Sequence, residues 1–189
     1  MIPPELEHFI AQSIARSRAT PDPADCVLAI APLMLELIDN AGTFLEPKHL
    51  RSDPHHYARN LIYEATGDGL SLYALVWSPG QWTPVHDHGS WGVVGVVEGV
   101  LEERSHLRLS PDRDADEHIE LVRGGVILLS PGSVTSFVPN PDHIHVTGVP
   151  VDRSRAVSLH LYGRNMSSFN IYDVAAGTRR RINVAHNDS

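Results

Sequence analysis

The chain has 189 residues, of which 42% are hydrophobic and 20% are charged. This length and composition suit a folded domain with a substantial core and exclude intrinsic disorder. The 15 Lys and Arg residues against 23 Asp and Glu residues leave a formal net charge of -8, so the overall field opposes binding to nucleic acid. The one concentrated basic run, Arg179 to Arg181, is interpreted as a solvated strand end, with a small contact patch as the alternative.

Cysteine usage and the amino-terminal segment indicate a cytoplasmic protein. Cys26 is the single cysteine, which excludes an intramolecular disulfide and a CxxC metal site. The first residues lack a basic segment followed by an apolar one. The longest nearly apolar stretch, Cys26 to Leu35, is about half a membrane span and contains Pro32. We therefore expect neither secretion nor membrane insertion.

Apolar residues at helical spacing predict two helices between Pro4 and about Asn40. The helices are joined near residues 20–23, where Asp22 is a candidate cap for the second helix. Pro32 lies inside that second helix and is expected to kink it. These helices form a helical segment over residues 1–45.

From about Asn60 the pattern changes to eleven short alternating or apolar runs, which indicates an all-β protein. The predicted strands cover residues 61–66, 70–77, 91–99, 100–109, 117–122, 126–129, 134–138, 144–149, 156–163, 169–174 and 180–185. Turn signals rich in Gly and Pro fall at 66–69, 78–80, 123–125, 130–132 and 140–142. We expect residues 1–189 to form a single domain, with a closed barrel or two-sheet jelly roll over residues 57–185.

Two histidines are the first candidates for chemistry. His86 and His88 are separated by one residue, so on a strand both side chains project from the same face and can chelate one metal. Asp87 points to the opposite face and is a weaker ligand candidate. Ordinary polar residues at a strand end would give the same local pattern.

The spacing around these histidines resembles the first motif of the cupin superfamily over 20 residues, through Gly80, His86, His88, Gly92 and Gly99. Gly92 stands where that motif has a Glu. Residues 125–132 resemble the start of the second motif, which makes His145 the natural third ligand and His143 the alternative. A set of three neutral imidazoles leaves a metal its full dipositive charge and suits either iron or zinc.

A second polar set lies further along the chain. At strand spacing, Ser158, His160 and Tyr162 share one face and form a relay if that face lines a barrel, whereas a solvated outer face is the alternative. Just before the first predicted strand, Arg59 could offer two parallel donors to a carboxylate, although an arginine there is commonly a surface residue. We expect Trp77, Trp82 and Trp91 to pack in the core rather than line a pocket.

Five elements in the same order, YARNLI, HDH, Gly99, IH and SLHLY, resemble the type I cysteine dioxygenase family over about Tyr57 to Tyr162. In that family a mononuclear non-haem Fe(II) adds both atoms of O2 to a thiolate, giving a sulfinic acid. The resemblance implies a cupin double-stranded β-helix and one Fe(II) per chain. The implied ligands are His86, His88 and His145, with Arg59 on the substrate carboxylate and with Tyr162, His160 and Ser158 as the relay.

One departure from the family is clear at Gly92. The animal enzymes carry a cysteine there that joins covalently to the tyrosine matching Tyr162. No such crosslink can form in this chain, so Tyr162 is expected to act as a free phenol. The segment WGVVG resembles bacterial members, which likewise have Gly at this place.

The resemblance implies cysteine as the preferred substrate, because relatives that act on cysteine have Arg at the position of Arg59. The WGVVG segment is nevertheless similar to the branch that acts on 3-mercaptopropionate. A second carboxylate partner among Arg153, Arg155 and Arg164 would suit mercaptosuccinate. A non-catalytic metal- or ligand-binding cupin is the alternative of another class. We expect O2 and a small thiol as partners, no nucleic acid or membrane, and a monomer or small homo-oligomer.

Overall fold

The computed structural model describes residues 2–66, 69–139 and 143–187. The helices are α1 (Pro4–Ala19), α2 (Pro23–Asp39) and α3 (Ala41–Phe44), followed by a short 3-10 helix (Pro47–Leu50). The two long helices and the cap are confirmed, since the Asp22 carboxylate accepts hydrogen bonds from the amides of Ala24 and Asp25 at 2.8 and 3.1 Å. Helix α2 continues through Pro32. None of the helices in these ranges is long and apolar enough to cross a membrane.

The rest of the described chain forms two antiparallel sheets. The strands are β1 (Ala58–Glu64), β2 (Ser71–Trp77), β3 (His86–Asp87), β4 (Gly92–Glu98), β5 (Leu101–Arg108), β6 (Leu121–Leu129), β7 (Val134–Phe137), β8 (Ile144–Gly148), β9 (Ala156–Tyr162), β10 (Ser168–Asp173) and β11 (Thr178–Asn183). One sheet has the order β1-β2-β9-β4-β7, and the other has the order β11-β10-β3-β8-β5-β6. This is the predicted double-stranded β-helix with helices at its amino-terminal end.

The helices cover one face of the five-stranded sheet and leave the other face to the barrel interior. Helix α2 packs on β4 and β7, and Leu159 and Leu161 of β9 share a buried cluster with α1 and α2. Because side chains alternate along a strand, the residues between these leucines face the interior. Tyr162 accordingly belongs to the interior cluster. The helices thus fix which face of β9 lines the barrel.

Two strand predictions are wrong around Gly124 and Gly125. The sequence pattern predicts separate strands at residues 117–122 and 126–129 with a turn at 123–125, whereas β6 runs without interruption from Leu121 to Leu129. The register between β5 and β6 shifts where Gly124 and Gly125 oppose Ser105, as in a bulge. A Cβ at Gly124 would collide with the Ser105 side chain. Close strand approach, and not a turn, therefore accounts for Gly124.

Smaller differences concern strand ends. Strand β1 begins at Ala58 and so contains Arg59, whereas the sequence pattern predicts Arg59 just before the first strand. In β11, Arg179 contacts Asp116 at 2.9 Å and Arg181 donates to the Ser168 hydroxyl, so these members of the basic run have partners within the chain. The predicted turns at 66–69 and 140–142 fall partly or wholly outside the described residues.

Candidate active site

Three histidines converge inside the barrel. Strands β3 and β8 are antiparallel neighbours that place His86 directly opposite His145. His88 follows β3 two residues after His86, on the same side. The ring centroids are 4.5 Å apart for His86 and His145, 5.0 Å for His88 and His145, and 4.7 Å for His86 and His88. The three predicted ligands are thus brought together, and each is buried.

The ring nitrogens of this cluster suit a metal ion. His86 Nδ1 donates to the Pro84 carbonyl at 3.0 Å, which leaves the lone pair on Nε2. That atom lies 3.2 Å from His88 Nε2, a spacing at which two lone pairs require a proton or a cation between them. His145 Nε2 is buried without a hydrogen-bond partner among the described residues. Such an orphaned acceptor, with two facing nitrogens beside it, fits a cation.

Burial prepares the three imidazoles for coordination. It lowers the pKa of His86 and His88 well below the ordinary value, and the neighbouring histidines lower the pKa further. Burial also lowers the pKa of His145, against the opposing effect of Glu103. The rings are therefore neutral near pH 7, which is the state that binds a metal.

Glu103 is a site residue that the sequence reasoning missed. Its carboxylate oxygens lie 3.2 Å from His145 Nδ1 and 3.3 Å from His143 Nε2. Burial raises the pKa of Glu103, but hydrogen bonds to the two histidines outweigh burial and leave the pKa well below its usual range. A carboxylate behind a ligand histidine fixes its tautomer and directs Nε2 at the metal.

His143, the alternative third ligand, faces this carboxylate instead. Its Nε2 is 3.3 Å from Glu103 and 3.3 Å from His145 Nδ1. It shares a potential ligand group with Glu103 and His145, whereas His145 alone of the two histidines also groups with His86 and His88. The geometry favours His145.

The Phe137 ring fills the space beside Gly92 at the edge of the histidine cluster. The Phe137 ring stacks on His88 at 4.3 Å and on His143 at 4.9 Å between centroids. Gly92 pairs with Phe137 across β4 and β7, and a Cβ at Gly92 would collide with the phenyl ring. The ring therefore occupies the space that a cysteine at this position would need. Cys26 is buried in the helical cluster far from this point in the chain.

The relay residues form a continuous hydrogen-bonded row along β9. Ser158 Oγ is 2.8 Å from His160 Nε2, and Tyr162 Oη is 3.3 Å from His160 Nδ1. His160 and Tyr162 line the same small cavity as the three histidines. Burial raises the pKa of Tyr162 above its usual range, so the phenol keeps its proton. The predicted barrel-facing arrangement is the one observed.

Stability is expected to depend on the protonation of His160. Burial lowers the pKa of His160 to about 3 in the folded protein, whereas a histidine in the unfolded chain has a pKa of about 6.5. Below about pH 6.5 the unfolded state therefore binds a proton that the folded state does not bind, and the free energy of unfolding falls. At pH 5 the loss is about 2 kcal/mol. The stability advantage of the wild type over His160→Gln should therefore shrink by that amount between pH 7 and pH 5, in urea unfolding of the metal-free proteins. An unchanged difference would contradict a neutral buried His160.

Arg59 reaches the cavity from β1. Its guanidinium lies 4.7 Å from the centre of the Tyr73 ring, and Nη2 donates to the Met166 carbonyl at 2.8 Å. A longer contact of 3.5 Å joins Nη1 to the Ala185 carbonyl. Five N–H donors are available in a guanidinium, so donors remain for a ligand in the cavity that Arg59 lines.

The other arginines considered for a second carboxylate lie elsewhere. Arg155 is 3.7 Å from Glu98, Arg153 is exposed, and Arg164 donates to the His88 carbonyl at 2.9 Å. Of the described arginines, Arg59 alone lines the cavity with the three histidines. Trp77 also lines this cavity, and it is fully buried, so it belongs to both the core and the pocket.

An antiparallel double-stranded β-helix with histidines clustered in its interior defines a cupin with a candidate metal centre. The sequence model of the family described as "Cysteine dioxygenase type I" matches residues 33–175. The chain belongs to this family.

Mammalian enzymes are among the curated proteins similar to this chain. The chain is 24% identical over 137 residues to cysteine dioxygenase type 1 of Homo sapiens, covering 72% of this chain and 65% of that protein. It is 25% identical over 135 residues to the Bos taurus protein of the same name, covering 71% and 64%. The match thus spans somewhat less than two thirds of each relative. A solved double-stranded β-helix protein from Klebsiella pneumoniae is 13% identical, with 78% of this chain and 88% of that chain covered and a TM-score of 0.45.

Proposed function

We propose that this protein is a thiol dioxygenase that converts cysteine to its sulfinic acid at a mononuclear Fe(II) site. One observation carries the proposal: three buried neutral histidines, an arginine and a hydrogen-bonded tyrosine all line one cavity. The family to which the chain belongs supports the same chemistry. A cytoplasmic location is part of the proposal and rests on the single unpaired cysteine.

His86, His88 and His145 would hold the iron. Fe(II) held there would supply the redox chemistry that Zn(II) lacks, which the reaction of O2 with a thiolate sulfur requires. The O–O bond breaks and two S–O bonds form. The four electrons that reduce O2 come from sulfur, so the reaction requires no other reductant.

The other residues of the cavity bind and orient the substrate. Arg59 offers its remaining N–H donors to the carboxylate and so fixes the distance between that group and the reacting sulfur. Tyr162 keeps its proton and can donate a hydrogen bond inside the cavity. Leu75, Met166 and Phe169 provide an apolar lining that excludes water.

The cavity favours a thiol with a single carboxylate. Arg59 is the one described arginine on its lining, and mercaptosuccinate would bring a second carboxylate without a matching cation. Cysteine and 3-mercaptopropionate each carry one carboxylate. Arg59 supports cysteine, because relatives that act on cysteine have Arg at this position. Mercaptosuccinate is therefore expected to be the poorest of the three.

The test is O2 uptake by the Fe(II)-loaded protein with cysteine, 3-mercaptopropionate and mercaptosuccinate measured side by side. We expect one O2 consumed per thiol and the highest kcat/KM with cysteine. Preference for another thiol would overturn the substrate assignment alone. No uptake at full iron occupancy would overturn the dioxygenase assignment and favour a binding role.

A further inference from the structure

The indole of Trp77 contacts the relay at its far end. Trp77 is the last residue of β2, which pairs with β9, and its side chain is fully buried. Nε1 of the indole lies 3.0 Å from Ser158 Oγ. An indole N–H can only donate a hydrogen bond. Ser158 Oγ is therefore an acceptor in this contact, whatever the state of the rest of the row.

This contact determines where the serine hydrogen goes. Ser158 is fully buried, and its remaining partner among the described residues is His160 Nε2 at 2.8 Å. If His160 also donated to Ser158, the serine hydrogen would be buried without an acceptor, which is unfavourable. Every group is satisfied when Ser158 donates to Nε2 of His160.

The direction then propagates to the tyrosine. A neutral imidazole carries one hydrogen, so an acceptor at Nε2 places that hydrogen on Nδ1 of His160. Nδ1 lies 3.3 Å from Tyr162 Oη and donates to it. The tyrosine hydrogen is then not used in the row and is available to the cavity that Tyr162 lines.

We propose that Trp77 is a positioning residue that fixes the direction of hydrogen bonding through Ser158 and His160, so that Tyr162 donates its hydrogen toward the reacting groups. The inference deepens the proposed function and rests on it for its catalytic meaning. The direction itself is a property of the row and can be measured without turnover. The assignment requires a neutral imidazole with one hydrogen. Burial lowers the pKa of His160 to about 3, so the ring is neutral near pH 7.

The direct test is the tautomer of His160, read from its 15N chemical shifts in the diamagnetic Zn(II)-loaded protein and assigned by comparison with His160→Gln. We expect hydrogen on Nδ1 in the wild type. In Trp77→Phe, which retains a ring to stack on Tyr57, the constraint is removed and a population with hydrogen on Nε2 should appear. Trp91→Phe, whose ring packs on Gly163 instead, should retain the wild-type tautomer.

Hydrogen on Nε2 in the wild type, or an unchanged tautomer in Trp77→Phe, would overturn the proposal. If Trp77→Phe does not fold, Ser158→Ala removes the hydroxyl that donates to His160 Nε2, and a population with hydrogen on Nε2 should appear in that variant instead. With iron, Trp77→Phe should lower kcat about 10-fold with little change in the KM for cysteine. Absence of activity in the wild type together with the expected tautomers would contradict the proposed function and leave the role of Trp77 in the row intact.

Discussion

His145→Ala is expected to abolish retention of Fe(II), and with it all thiol-dependent O2 uptake. His145 is one of three nitrogen ligands in the proposed site, and its buried Nε2 has no hydrogen-bond partner in the part of the chain that the structure describes. Loss of a ligand should weaken metal binding by more than the roughly 10- to 100-fold that loss of a supporting residue costs. Iron content after desalting and a metal titration provide the measurement.

His143→Ala is the matched control for this variant. His143 lies two residues away and faces Glu103, so its removal should weaken metal binding no more than loss of a supporting residue does. Iron retention by His145→Ala together with iron loss by His143→Ala would exchange the two assignments. Iron retention by both variants would show that neither His143 nor His145 is a metal ligand.

Arg59→Gln is expected to lower kcat/KM for cysteine about 10- to 100-fold, mostly through a higher KM. The change removes charge-assisted hydrogen bonds to the substrate carboxylate, each of which contributes about 1.5–3 kcal/mol. The loss should be larger for cysteine than for 3-mercaptopropionate. Cysteamine, a thiol without a carboxylate, should be affected little.

Arg155→Gln is the control for loss of a positive charge, because Arg155 pairs with Glu98 away from the cavity. It should leave kcat/KM unchanged for every thiol. An equal loss in Arg59→Gln for cysteine and cysteamine would show that Arg59 supports the fold and not the carboxylate. An equal loss for cysteine and 3-mercaptopropionate would remove it from substrate discrimination.

Local sequence signals were sufficient for much of the fold. The cap at Asp22 and the boundaries of the two long helices follow from neighbouring residues, and so does the alternation of Leu159 and Leu161 with the relay residues. The pair Gly124 and Gly125 misled the prediction because glycine serves equally in a turn and in a bulge. Only the strand opposite, with Ser105 at this point, distinguishes the two.

The surroundings of the three histidines depended on contacts between strands that are distant in sequence. Glu103 reaches His145 because β5 pairs with β8, and alternation with Leu101 was the one local signal that Glu103 points inward. Trp77 reaches Ser158 because β2 pairs with β9. Strand register of this kind is set by the packing of the whole barrel. The assignment of the full chain to one domain stays a prediction.

Thiol dioxygenation is tested most directly by the isotopic composition of the product formed from cysteine by the Fe(II)-loaded protein under 18O2. We expect cysteine sulfinic acid with both sulfinate oxygens labelled, because both atoms of O2 are transferred to sulfur. The boiled protein and His145→Ala serve as controls for metal-catalysed oxidation in solution. A product with one labelled oxygen, or cystine as the sole product, would contradict a thiol dioxygenase.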